Sequence, residues 1–134
     1  MVAIAVVGLV LAAAFANVGS SLRTMETARD YTRVAQILQS ELEDVRTMSW
    51  ADLEALQAAT GGDWELLDIS AEFHEAFGTR YVTHRRVRNR DGLPDQKEIV
   101  IKVEWTNAHG VTVTKYTSSW FTENGMHDYF YRSF

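Results

Sequence analysis

From Met1 to Leu22 the chain carries no charged residue, and from Arg23 onward charges recur. The uncharged stretch reads MVAIAVVGLVLAAAFANVGSSL. Its most apolar part, residues 1–18, would form a helix about 27 Å long, close to the ~30 Å hydrocarbon thickness of a bilayer. The pattern then changes character without stopping. Apolar residues fall at Ala28, Tyr31, Val34, Ala35, Leu38, Leu42, Val45 and Met48, and this three-four spacing draws one stripe on a helix. Arg23, Glu26, Arg29, Asp30, Arg33, Glu41, Glu43, Asp44 and Arg46 fall largely on the solvated remainder. Glu26 and Asp30 precede Arg29 and Arg33 by three positions, which supports a helix. The pattern predicts one long helix to about Trp50: an apolar half over 1–22 and an amphipathic half over 23–48. Gly8 and Gly19 are its weak points, each costing ~1 kcal/mol relative to alanine.

A globular head follows over 49–134. Ser49 can cap a second helix, with Asp52 at the capping-box offset and Thr60-Gly61-Gly62 as the stop. Trp64, Leu66, Leu67, Ile69, Phe73 and Phe77 are expected to be mostly buried. Three strand signals come next, over Thr79–Arg90, Lys97–Thr106 and Val111–Phe121. The second alternates cleanly, with Ile99, Ile101, Val103 and Trp105 on one face and Glu98, Lys102 and Glu104 on the other. Asp91-Gly92-Leu93-Pro94 and Asn107-Ala108-His109-Gly110 are hairpin-sized links. The predicted fold class is α+β: a long N-terminal helix packed on a small three-stranded antiparallel sheet. Leu38, Leu42 and Val45 are expected to meet Ile99, Ile101, Val103 and Trp105 across that interface.

Charge and composition narrow the function. The 134 residues hold 18 acidic and 13 basic side chains, a formal net charge of -5. That balance argues against nucleic acid as the main partner, because phosphate binding needs a basic surface. Cysteine is absent, which removes disulfide and thiolate chemistry. The histidines at 74, 84, 109 and 127 are scattered, with no HExxH element, and neither a GxSxG nor a P-loop is present. No catalytic constellation emerges, and a nonenzymatic role is expected.

Three local features bear on binding. Asn89, Asp91 and Asp95 offer oxygen side chains around a glycine turn, the donor type calcium takes. The plainer reading is a hairpin, since Asp-Gly is a strong turn signal and Arg90 opposes a cation, so no cofactor or metal is expected. Arg80, His84, Arg85, Arg86, Arg88 and Arg90 make a basic strand in an acidic protein. Nucleic acid is one partner for such a strand, but affinity for it rests on many phosphate contacts; the plainer reading is complementarity to acidic neighbours such as Glu98 and Glu104, within the chain or across a subunit interface. The aromatic end, Met126 to Phe134, would be an exposed apolar patch if free and is expected to pack on the head or on a second subunit.

The apolar start admits three readings. A cleaved signal peptide would use Ala14-Phe15-Ala16, but no basic residue precedes the apolar run. A single-pass anchor for a periplasmic or extracellular binding domain fits the length at its short limit. The third follows from wording. MVAIAVVGLVLAAAF resembles the N-terminal helix of type IV pilins and type II secretion pseudopilins, with Gly8 at the family's recurrent helix glycine. The phrase KVEWTNAHGVTVTKYTSSW is similar to minor pilins and pseudopilins. The departures are the missing glutamate and processing motif, and Ala16 near the family's frequent proline.

The resemblance implies a structural subunit of a type IV pilus-like or pseudopilus filament. It implies core packing through Val2, Ile4, Val6, Val7, Gly8, Leu9, Leu11 and Phe15. It implies insertion in the inner membrane as a precursor, then a periplasmic or extracellular homo-polymer or mixed filament raised by dedicated assembly machinery. Some pseudopilins bind calcium, and in pilin filaments the helix can unwind after the matching glycine. It further implies a short basic leader, cleavage after a glycine, a methylated first residue and a glutamate shortly before Met1.

Overall fold

The computed structural model describes residues 2–123, without the side chains of 2–5, 9, 10 and 72. The aromatic stretch Met126 to Phe134 lies outside the described residues. Helix α1 runs over Val2–Arg46, 45 residues or about 68 Å at the usual rise. It passes Gly8 and Gly19 without a break. No proline removes a hydrogen bond there, and an isolated glycine alone does not interrupt a ladder made on both sides.

The helix ends at Arg46 rather than near Trp50. Thr47 N–H reaches back to Asp44 O at 3.1 Å and Met48 N–H to Val45 O at 3.1 Å, tightening the last turn. Ser49 then caps α2, Trp50–Thr60, whose left-handed cap residue is Gly61 at φ 64°. Ser49 Oγ accepts from Asp52 N–H at 3.2 Å, while Asp52 Oδ2 accepts from Ser49 N–H at 2.9 Å. This reciprocal pair seats Trp50 and Leu53 in the core.

The sheet has four strands, not three, in the order β1-β2-β3-β4, all antiparallel. The strand absent from the three-stranded expectation is β1, Glu65–Leu67. Three residues are too few to show an alternation, and only pairing with the next strand reveals it. After it comes α3, Ala71–Phe77, then β2, Tyr81–Arg90, β3, Leu93–Thr106, and β4, Thr112–Thr122. The third of these strands starts at Leu93 rather than Lys97, so Pro94 lies within it. The proline sits before the first β3–β4 pair, Gln96↔Thr122, where its missing N–H costs no bond between those strands.

One sheet face packs on α1. Tyr81, Thr83, Arg85 and Val87 from β2 join Lys97, Ile99, Ile101, Val103 and Trp105 from β3 in the buried set. Val34, Ile37, Ile69, Tyr81, Val103 and Trp105 form one cluster. Val45, Leu53, Val87, Ile99 and Ile101 form another, with Leu42 against it and Leu38 touching both. Two expectations fail here. Asp30, assigned by its charge to the solvated face, is fully buried. Leu66, expected inside, is 66% exposed, because its register opposite His84 turns it to the outer face.

Candidate functional site

The amphipathic half of α1 carries the head, and the apolar half projects beyond it. Residues 6–8 and 11–22 are exposed all round. Val6, Val7, Leu11, Val18 and Leu22 are each more than half exposed, and Phe15 stands out at 75%. Among the described residues, nothing beyond the helix's own backbone and the chain neighbours lies within 4 Å of the position a Cβ would take on Gly8 or Gly19. The side chains of Val2, Ile4 and Leu9 lie outside the described residues. By length and composition the helix can cross a membrane, and among the described residues nothing covers its apolar window. A contiguous apolar surface of this kind marks an interaction or membrane surface.

The rod is clamped to the head at Asp30. Tyr81 Oη donates to Asp30 Oδ1 at 2.7 Å, and the Arg80 guanidinium donates to the same oxygen. Glu26 lies 3.7 Å from Arg80, and Arg33 lies 3.7 Å from Asp30. Burial works against the Arg80 charge, but its bond to Tyr81 and the Asp30 and Glu26 carboxylates hold its pKa above the ordinary guanidinium value. Composition hides this site, yet spacing could have found it. Asp30 lies four residues before Val34 and seven before Ile37, on the buried stripe.

Every arginine of the basic strand is engaged within the chain, and its histidine lies near an acidic side chain. Arg85 reaches Glu65 at 2.9 Å, Arg88 reaches Glu98 at 2.6 Å, and His84 lies 3.6 Å from Glu104. Arg86 stacks 4.6 Å over the Trp64 ring and Arg90 4.4 Å over Trp120. Pairing therefore includes Glu98 and Glu104 but extends to Glu65 and to two tryptophans. Arg85 points inward with Val87, a consequence of strand parity.

The oxygen-bearing loop does not gather. Asn89 Oδ1 accepts from the Lys97 ammonium at 3.0 Å, while Asp91 sits at the exposed turn tip and Asp95 is exposed on β3. Asp95 O accepts from Glu123 N–H at 2.8 Å. Among the described residues no group of three His, Cys, Asp or Glu side chains is placed to hold a metal ion.

An acidic groove of about 410 Å³ runs between α1 and the segment before α3, with Glu41, Asp44 and Asp68 beside Ile37, Ile69 and Phe73. Burial, then the Asp44 charge, raises the Glu41 pKa above the ordinary carboxylate value, against the pull of Arg85.

No family model, curated protein or solved structure matches the chain. The likeness to pilins and pseudopilins thus has no support beyond the residues quoted for it. What the geometry offers is a surface for packing: an exposed apolar rod continuous with a helix of the folded head.

Proposed function

We propose that this chain is a structural subunit of a type IV pilus-like or pseudopilus filament. One observation carries the reading. A single unbroken helix is half core element and half uncovered apolar rod. A mere anchor needs only enough length to cross the bilayer. Here the same helix also continues into the head core through Asp30, Val34 and Ile37, so packing of rods would fix the placement of heads. In the membrane the rod faces lipid. In the fibre, neighbouring rods replace lipid contacts with protein contacts, and a head-to-tail interface that does not close gives an open polymer. The precursor is placed in the inner membrane and the product in a periplasmic or extracellular fibre, of one or of mixed subunits.

Electron microscopy of the purified full chain after detergent removal tests this. Fibres are expected. Val7→Arg and Leu11→Arg should abolish them, since an unpaired charge in a dry helix core is expensive. Fibres of normal form from either variant would reject packing through the apolar rod, and discrete particles from the parent would reject the filament and favour a membrane-anchored binding domain.

A further inference from the structure

The head leans over α1 where the helix passes from uncharged to charged. The β3–β4 turn is held in one shape: Asn107 Oδ1 accepts from His109 N–H at 2.9 Å and from Val111 N–H at 3.0 Å. Asn107 O accepts from Gly110 N–H at 3.0 Å, and Gly110 takes the left-handed φ of 74° that the turn requires. This turn brings His109 to a half-open cleft of about 340 Å³, lined on the helix side by Phe15, Gly19, Ser20, Arg23 and Thr24.

The chemistry of the cleft is graded along the helix axis. Arg23 is the first charged residue of the chain. Among the described residues no carboxylate lies within ion-pair distance of Arg23 or His109, and Glu26, the nearest acid in sequence, faces Arg80 at 3.7 Å. Ser20 lies about 4.5 Å nearer the apolar end than Arg23, and Phe15 about 12 Å nearer. The interfacial layer of a bilayer is roughly 5–8 Å deep on each side. With residues 1–18, the most apolar part, in hydrocarbon, Arg23, Ser20 and His109 fall in that layer and Phe15 falls below it. A cation, then hydroxyls, then an aromatic ring repeat the order of a phospholipid: phosphate, glycerol, acyl chain. A free anion would leave the exposed Phe15 end of the cleft unused.

We infer that this cleft seats one anionic membrane phospholipid, its headgroup phosphate held by Arg23 and His109 and its acyl chain against Phe15. The inference rests on the proposed placement of residues 1–22 in a membrane. Arginine suits the phosphate because its N–H groups can bond two oxygens at once. The juxtamembrane positive charge adds attraction to an anionic leaflet. A lipid held there would fix the tilt of the head over the bilayer before assembly.

The test uses the full chain in detergent, titrated with phosphatidylglycerol or phosphatidylcholine and observed by native mass spectrometry. One phosphatidylglycerol per chain should be retained at concentrations where phosphatidylcholine is not. Arg23→Gln and His109→Ala should each weaken retention about tenfold, as expected for one lost charge-assisted hydrogen bond. Arg46→Gln, at the far end of the helix, should not. Equal retention of the two lipids, or retention unchanged by Arg23→Gln, overturns the inference. Saturation by soluble glycerol phosphate at the same concentration overturns the lipid as ligand. Flotation with phosphatidylglycerol vesicles separates the two levels. A chain that fails to float removes the membrane placement and the inference together, and one that floats without lipid preference removes only the inference.

Discussion

Tyr81 donates its hydroxyl proton to Asp30 at 2.7 Å across 51 positions of sequence. Asp30 is fully buried on α1, and Tyr81 is the first residue of β2. The bond therefore ties the rod to the sheet at the point where the head begins. Asp30 Oδ2 has no protein partner among the described residues, so the carboxylate depends on what reaches Oδ1. A carboxylate removed from water needs such partners.

Asp30→Asn should lower head stability by about 2 kcal/mol, the usual worth of hydrogen bonds to a charged group, and Tyr81→Phe by about 1. The double variant should lose less than the sum, because both remove the same bond. Urea unfolding of the full chain in detergent, followed by near-ultraviolet circular dichroism, gives the three midpoints. Additive losses would show that the two residues act separately.

Lys97 is the other polar surprise in the core, at 3% exposure. Its ammonium donates to Gln57 Oε1 at 2.5 Å and Asn89 Oδ1 at 3.0 Å, and lies 4.8 Å over the Trp50 ring. No carboxylate among the described residues pairs with it. Replacing a buried charge by an apolar side chain of similar volume is often neutral or stabilising. Lys97→Met should stay within about 1 kcal/mol of the parent or exceed it, whereas Lys97→Ala should lose about 2 or more through the cavity. The same urea midpoints decide. A Met variant weaker than the Ala variant would show that the ammonium itself is needed.

The helix and the strands β2, β3 and β4 were legible because each repeats its period several times. Ile99 to Trp105 alternates through four apolar positions, and Val34 to Val45 keeps helical spacing. The capping box at Ser49 and Asp52 was legible from two residues at one offset. What escaped lacks a local signal or carries two that conflict. Strand β1 is three residues long and exists through its pairing of Leu66 with His84. Asp30, Arg85 and Lys97 sit on buried faces by periodicity, but charge argued the other way. Their partners, Tyr81, Glu65 and Gln57, are at least 20 positions away. The cleft under His109 depends on how the β3–β4 turn sits over α1, which is a tertiary relationship.

Trp105 is 2% exposed, and Tyr31 meets its ring edge-on at 5.5 Å. Val34, Ile37, Tyr81 and Val103 complete its surroundings. Trp105→Ala should cost about 3–5 kcal/mol, the range for a buried large aromatic. Trp105→Phe should cost less. It keeps much of the apolar volume and removes an indole N–H that has no protein acceptor among the described residues. An Ala variant unfolding at the parent's midpoint would refute the sheet-on-helix packing.

Acid should loosen the head at the start of α2. The Ser49 hydroxyl, at 2.7 Å, and then the Ser49 backbone N–H, at 2.9 Å, hold the Asp52 carboxyl below its ordinary pKa. A smaller desolvation cost opposes them. Because the folded value lies below the unfolded one, the folded state favours the carboxylate. Its contribution is complete above the unfolded pKa of about 3.9 and disappears as pH falls through the lower folded value. Acidification from pH 7 to about 5 should therefore leave the thermal midpoint untouched by this group, and further acidification should erode it. Asp52→Ala lacks this increment at every pH, so the gap between parent and variant should be constant above about pH 5 and narrow as the pH falls through the lower folded value. Ser49→Ala should cost about 1 kcal/mol at neutral pH as a lost cap, and it should also weaken the acid dependence, because the hydroxyl is the main cause of the shift. The effect reaches the core because the box positions Trp50 and Leu53, both buried. Thermal unfolding of the three proteins between pH 7 and 2.5 checks this. A gap that persists unchanged at low pH would mean that Asp52 acts through its shape and not its charge.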